Sequence, residues 1–348
     1  MSQNTPHGSS YDVVIVGAGI AGSAFAHALS AAALTSRAAP LRIALLERSL
    51  AEPDRIVGEL LQPAGVAALR SLGLGACLDD IDAVPVHGYA VLDTSETVHI
   101  PYPCGAQGRS FHHGRFVQNL RAHAKAARAV DVIEATVTNL IECPLTRRVI
   151  GVRARREGAE QKESFFADLV VVADGCFSNF RGSVMEGSAI SKRSVVRGNF
   201  VGAVLEDVSL PIPQHGTVAL VKGHGPVLLY QISEHDTRIL IDVKNPLPSD
   251  LKVSKLQLRP FAQRHVISQV LLEHGADALA DANSRDDGNQ TPLRPVSRAG
   301  RFGLGPYSCW SRAGRMLMCE TRAELPSSQP WRKDIGITVS VFVAELAN

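Results

Sequence analysis

The stretch YDVVIVGAGIAGSAFAHALSAAAL, residues 11–34, carries a single formal charge, at Asp12. Two structures compete for it. An apolar run of this length can cross a bilayer as a helix, whereas a strand, a glycine turn and a helix in succession can wrap a phosphate. The order of residue types separates them. Val13, Val14, Ile15 and Val16 form a β-branched apolar run, as in a strand buried on both faces. Gly17, Gly19 and Gly22 follow in the spacing G-x-G-x-x-G, and residues 24–33 are rich in helix formers. In that order Gly17 permits the tight turn, and Gly19 lets the backbone approach a pyrophosphate. Gly22 lets the helix close onto the strand, and the helix N-terminus offers free N–H groups to the phosphate. The glycine spacing and His27 also argue against a helix facing lipid. The stretch reads as a nucleotide-binding unit.

Such a unit continues into a second strand ending in an acid. LRIALLERSL, residues 41–50, predicts a strand over 42–46, with Glu47 placed to accept hydrogen bonds from ribose hydroxyls. The loop SRAAP, residues 36–40, lengthens the gap from Gly22. Beyond Glu47, Arg48 and Arg55 read either as solvated surface charges or, beside the fingerprint and its acid, as cations for a pyrophosphate or adenosine. The run VVVADG places Asp174 and Gly175 at the end of a buried strand, although Asp-Gly favours a turn in any case.

Bulk properties narrow the classes. With 348 residues, the chain has room for two domains or one large one. A net charge of +2 and the absence of any Lys/Arg run speak against nucleic-acid binding. Cysteines at 77, 104, 143, 176, 309 and 319 form no C-x-x-C pair, so no disulfide framework or metal site is expected. Residues 1–10 are polar, lack the basic start of a signal peptide, and read as a disordered N-terminus.

Longer motifs go further: EPDRIVGELLQP (52–63), GRSFHHGRF (108–116), VIEATVTNL (132–140), VVADGCFSNFR (171–181) and LPIPQHGTVALVKGHGPVLLYQISEHDTRILIDVK (210–244). From Tyr11 to about residue 252 the chain resembles the squalene monooxygenase (squalene epoxidase) family of flavin monooxygenases. The resemblance implies an α/β architecture: a Rossmann-type FAD-binding domain of the aromatic hydroxylase-like fold, interleaved with a β-rich substrate domain and C-terminally incomplete. It divides the chain into an FAD-binding domain over 11–185 with substrate-domain strands inserted around 84–115, a substrate domain over 186–255, and an atypical segment over 256–348.

By the same resemblance, FAD contacts fall on Ile20 and Ala21 in the glycine turn, on Glu47, Arg48 and Arg55, and on Arg121 and Val137. Asp174 and Gly175 would lie near the flavin. Tyr89 matches an active-site tyrosine; on its own terms it reads as a core aromatic with a locally satisfied hydroxyl. His112 and His113, read as neighbours on a strand pointing opposite ways, are assigned structural roles. Residues 225–232 are read as apolar tunnel and sheet, with Tyr89 across from them. The implied reaction is the epoxidation of squalene to (S)-2,3-epoxysqualene with O2, in sterol (ergosterol) or triterpenoid synthesis. Its electrons come from NADPH through a separate reductase, NADPH–cytochrome P450 reductase. The implied location is the cytosolic face of the endoplasmic reticulum membrane.

The likeness is expected to stop in the C-terminal part. The family's G-D-A motif is absent, Gly336 to Val339 faintly echo its later G-M-T-V, and no C-terminal membrane anchor is visible before Asn348. Residues 267–301 resemble one ankyrin repeat, which does not bury its own faces alone. Residues 302–328 are rich in Arg, Gly, Ser and Pro and are expected to be irregular. An impaired epoxidase follows from this reading. So do two alternatives: a non-catalytic flavin-binding remnant, and a monooxygenase for another terpenoid or an aromatic substrate.

Overall fold

The computed structural model describes residues 8–36, 39–55, 57–93, 96–185, 198–220, 226–244 and 316–318. Its opening stretch folds as strand, turn and helix: β1 is Gly8–Val16, α1 is Ile20–Ser36, and β2 is Ile43–Glu47. Alternate residues of β1 feed two cores. Val13 and Ile15 pack with Ile43 and Leu45 under Phe25 of α1, while Val14 and Val16 join Ala44 and Leu46 on the other face. Residues of α1 and of the helices Pro63–Ser71 and His113–Ala126 cover one face of the sheet. Residues of the strand Val149–Arg155, with Phe180 and Val184, cover the other, which is why both faces of this run are apolar. Burying each large side chain is worth about 1.5–3 kcal/mol.

Two boundaries differ from the sequence reading. Gly8, Ser9 and Ser10, taken there as disordered, extend β1 and pair with Ser164, Phe165 and Phe166. A parallel neighbour satisfies their backbone groups whatever the side chains are. Residues 1–7 lie outside the described set. The second strand begins at Ile43 and not at Arg42, whose N–H donates to the Asp12 carboxylate at 2.7 Å.

The chain continues with β3 (Leu60–Leu61), α2 (Pro63–Ser71), β4 (Val84–Val86), β5 (Gly88–Leu92), β6 (Thr97–Pro101) and β7 (Gly108–Ser110). Next come α3 (His113–Ala126), β8 (Val130–Glu134), β9 (Thr136–Glu142), β10 (Val149–Arg155), β11 (Glu163–Val172) and α4 (Arg181–Met185). The remaining strands are β12 (Gly198–Glu206), β13 (Gly216–Ala219), β14 (Val227–Gln231), β15 (Asp236–Lys244) and β16 (Met316–Met318).

The first sheet has the order β8-β2-β1-β11-β10-β9, with β16 also on β11. β8, β2, β1, β11 and β16 run parallel. The second sheet is β12-β15-β14-β13-β5-β6. β5 therefore pairs with β13, a strand more than a hundred residues later, and carries β6 with it at the sheet edge. A small sheet, β3-β7-β4, is formed by strands that flank β5 and β6 in sequence.

β16 is a correction to the expectation of irregular structure over 302–328. Met316, Leu317 and Met318 pair with Val170, Val171 and Val172. A three-residue strand leaves too short a pattern to show periodicity in sequence; an open parallel edge beside β11 selects it. The histidine pair is a second correction. His112 is the N-cap residue of α3 and His113 its first helical residue, so they do not lie on a strand. The ankyrin-like stretch and residues 319–348 lie outside the described residues. Among the described residues, no helix is long and apolar enough to cross a membrane.

Candidate functional site

Register aligns the parallel strands at their carboxyl ends: Val16 lies beside Leu46 and Val172, and Val172 beside Met318. Gly17, Glu47 and Asp174 therefore emerge along one edge of the sheet, where open α/β sheets bind ligands. Gly17 has φ +102°, and a side chain there would collide with the Ala173 carbonyl. A side chain on Gly22 would collide with the Gly17 carbonyl, so Gly22 sets how closely α1 approaches β1. Gly19 differs, because its missing Cβ would project into open space. The turn is tight where it packs and open where a ligand would pass. The bond from the Ser23 N–H to the Gly19 carbonyl, at 3.0 Å, leaves the N–H groups of Ile20, Ala21 and Gly22 ahead of it at the positive end of α1.

Glu47 closes β2. Its Oε2 accepts the Ala18 N–H at 2.8 Å, and its Oε1 makes a long 3.4 Å contact with the Ser49 N–H. Arg121, read from the sequence as a cofactor contact, has protein partners. Its Nε donates to the Ala18 carbonyl at 2.8 Å, its Nη1 to the Ala51 carbonyl at 3.0 Å, and its Nη2 lies 3.7 Å from Glu47 Oε2. The residue braces the glycine turn from below. Burial lowers its pKa, with the Glu47 and Glu134 carboxylates opposing that shift. Glu134 Oε1 accepts the Leu50 N–H at 2.9 Å, and Gln118 Nε2 donates to the Leu50 carbonyl at 2.9 Å. Together these contacts hold the segment that carries Arg48 and Arg55.

Arg48 is exposed. Arg55 places its guanidinium carbon 5.9 Å from the Phe177 ring centroid, which brings its segment against the loop after β11. In that loop Asp174 Oδ2 accepts the Asn179 N–H at 3.3 Å. Asp174 Oδ1 is buried with no hydrogen-bond partner among the described residues. An unpaired buried acceptor costs about 1–3 kcal/mol, which a ligand donor would recover. Gly175 has φ +81° and open space beside it. Val137, on β9, is half-buried against the core face containing Val14, Val16 and Leu46 and pairs with Ala154. The edge thus combines phosphate donors, hydroxyl acceptors and nearby cations, the requirements of a dinucleotide.

A second group of residues lies on the second sheet. Tyr89 of β5 receives a hydrogen bond from Gln62 Nε2. The ring of Tyr102 meets it edge-on at 5.8 Å. Burial pushes the Tyr102 hydroxyl well up, and the Tyr89 hydroxyl adds to this. Gly216, directly across on β13, has no side chain because a Cβ would lie 2.9 Å from the Tyr89 ring. Val91, Val218 and Leu228 form the adjoining row on the same face.

Sequence reading missed Gln62, the Gln of GELLQP that caps α2, and missed Glu59 and Arg238 altogether. Arg238 donates to Glu59 through Nε at 2.8 Å and Nη2 at 2.6 Å, and the Tyr230 hydroxyl donates to Glu59 at 3.2 Å. Both histidines have protein partners. His112 Nε2 lies 2.9 Å from Asp236 Oδ2, and His113 Nδ1 donates to the Gly58 carbonyl at 3.1 Å. Burial pushes the His113 pKa down to about 4, with the Arg55 and Arg121 charges adding. Among the described residues, no group of three or more metal-ligating side chains converges.

This architecture is the fold of the FAD-dependent monooxygenases. Pseudomonas aeruginosa PqsL, described as a probable FAD-dependent monooxygenase, superposes with a TM-score of 0.64 at 15% identity, covering 89% of this chain and 78% of that one. The p-nitrophenol 4-monooxygenase PnpA of Pseudomonas putida gives 0.62 at 18% identity, covering 89% and 72%. Within that fold the chain belongs to the squalene epoxidase family. The family profile matches residues 166–286. Squalene epoxidase 3 of Arabidopsis thaliana is 38% identical over 308 residues, 86% of this chain and 55% of that protein. The squalene epoxidase of Aspergillus fumigatus is 45% identical over 247 residues, 68% of this chain and 48% of that protein. The chain spans about half the length of these relatives. The profile carries the likeness past residue 252 and takes in 267–286, the first part of the ankyrin-like stretch.

Proposed function

We propose that the chain binds FAD along the carboxyl edge of the first sheet and serves the epoxidation of squalene to (S)-2,3-epoxysqualene. The observation that carries the cofactor assignment is the unpartnered, buried Asp174 Oδ1 standing beside the Gly17 turn. In this reading the N–H groups of Ile20, Ala21 and Gly22 hold the pyrophosphate. The Glu47 carboxylate, oriented by the Ala18 N–H and Arg121, accepts from a ribose. Arg48 and Arg55 neutralise phosphate or hold adenosine, and Asp174 accepts from a cofactor hydroxyl or N–H. Val137 contributes apolar contact. Bound FAD would supply the chemistry of oxygen activation, with electrons from NADPH delivered by a partner such as NADPH–cytochrome P450 reductase.

The second sheet then presents the substrate. Val91, Val218 and Leu228 give an apolar row for a hydrocarbon, and Tyr89, held by Gln62, marks the polar point on the same face. Apolar walls keep water from the reacting centre. Squalene dissolves in lipid, so the reading places the protein at a membrane surface, as on the cytosolic face of the endoplasmic reticulum. The relatives named squalene epoxidase favour this alkene over aromatic substrates.

The test is direct. The purified chain is titrated with FAD, then given squalene in detergent, NADPH and a reductase, and extracted for 2,3-epoxysqualene. Flavin binding with squalene-stimulated oxygen uptake is the expected result. Failure to bind FAD overturns the cofactor assignment. Binding without product overturns the activity and leaves a flavin-binding remnant, and uptake stimulated only by soluble aromatics transfers the activity to them.

A further inference from the structure

The Glu59–Arg238 pair has no role in the function proposed above, yet it joins the two halves of the site. Glu59 belongs to the 52–62 segment, which also carries Arg55 on the cofactor side and Gln62, the donor to Tyr89. Arg238 sits on β15 opposite Tyr230 of β14. The side chains are almost fully buried, Glu59 at 1% and Arg238 at 3% exposure. Two N–H···O bonds to the two carboxylate oxygens, at 2.8 and 2.6 Å, make a fork that tolerates little sliding. The Tyr230 hydroxyl, its pKa raised chiefly by burial, supplies a third donor to the same carboxylate. Nearby, the Phe111 N–H donates to the Glu59 carbonyl at 2.8 Å, and Ser110 Oγ donates to the Gln231 carbonyl.

As a source of stability this arrangement is poor. Desolvating two charges consumes much of their attraction, and apolar replacements of similar volume often serve as well or better. Arg238 Nη1 is moreover buried without a partner among the described residues. What an ion fork provides and an apolar contact does not is direction. We propose that Glu59 and Arg238 are positioning residues. Their fork fixes the 55–62 segment against the substrate sheet, so that Arg55 and Gln62 are held at once in the geometry that retains the cofactor and orients Tyr89. The claim rests on the FAD reading for its consequence and on the fork alone for its geometry.

The test uses the full chain with Glu59→Leu and Arg238→Met combined, which removes the fork without stranding a charge. Apoprotein melting should fall far less than in the single Arg238→Met variant, the remaining loss coming from the Tyr230 hydroxyl left without its acceptor. Amide hydrogen exchange across 55–62 should accelerate about ten-fold while exchange in β14 and β15 holds, and FAD affinity should fall about ten-fold, the lower end of what losing outer supporting contacts costs a binding site. Arg238→Lys, which keeps the charge but not the fork, should fall between. A folded double variant with unchanged exchange at 55–62 overturns the proposal. So does loosened exchange with FAD affinity within about two-fold of the parent. If the parent itself binds no FAD, the cofactor reading fails and the exchange result alone decides the geometric claim.

Discussion

The two halves of the site are built by different means. Along the edge of the first sheet, the glycine turn and Glu47 come from residues close in sequence: the Ala18–Glu47 bond spans 29 positions. Most of what they offer is backbone. On the second sheet, the Glu59–Arg238 fork spans 179 positions and Tyr230–Glu59 spans 171, and what they offer is side-chain direction. Local backbone chemistry is dictated by spacing, because a turn, a helix start and a strand end follow one another along the chain. Directional side-chain chemistry needs partners that only folding brings together. The first half is therefore expected to fail by steric damage, the second by loss of alignment.

The sharpest way to break this contrast is within the fingerprint. Gly22→Ala drives a Cβ into the Gly17 carbonyl, where neither backbone can yield. A loss of about 3 kcal/mol or more, read as lost soluble fold or a large drop in Tm, is the expected outcome. Gly19→Ala meets open space, so its Tm should hold while FAD affinity falls. Equal melting of the two variants would erase the distinction between packing and ligand glycines.

Next in size is the single change Arg238→Met. Left alone, it strands Glu59 in the core, and stranding a buried charge costs about 3–5 kcal/mol. Chemical denaturation should show this loss beside a double variant that recovers most of it. A single variant as stable as the parent would mean that Glu59 finds another partner.

Arg55→Ala then probes the junction between the halves. It removes one exposed cation, so stability should hold while FAD affinity falls about ten- to a hundred-fold, the value of a charge-assisted hydrogen bond. Fluorescence titration measures it, and unchanged affinity would return Arg55 to the surface. Tyr89→Phe should leave fold and flavin binding alone and lower epoxide formation. Turnover equal to the parent's would make Tyr89 a packing residue.

The smallest effect is in pH. His113 is held neutral, its pKa lowered to about 4 against an unfolded value near 6.5. Below 6.5 the unfolded chain takes up the proton that the folded chain refuses, so His113 makes stability fall as pH drops from 6.5 towards 4. Above 6.5 this contribution is level. The Tm of His113→Gln should therefore decline less than the parent's over that interval. Parallel declines would place the acid sensitivity elsewhere.

Much of the first half was legible in the amino-acid order. Val13 to Val16, the three glycines, the helix and Glu47 are each identified by residue type and short spacing, and they fold as read. Asp174 and Gly175 likewise sit where a β-branched run ends. What sequence could not reveal was the use to which some of these residues are put. Arg121, read as a ligand contact, also braces the turn through the carbonyls of Ala18 and Ala51, whose direction follows from the closed turn. His112 and His113 looked like strand residues and begin a helix. Met316–Met318 looked irregular and is a strand, because an open edge at Val170–Val172 accepts it. Glu59, Gln62 and Arg238 carry no local signature of partnership at all. Periodicity and turn chemistry act over a few residues and are written in the chain, while the partner of a buried charge is chosen only when distant strands pack.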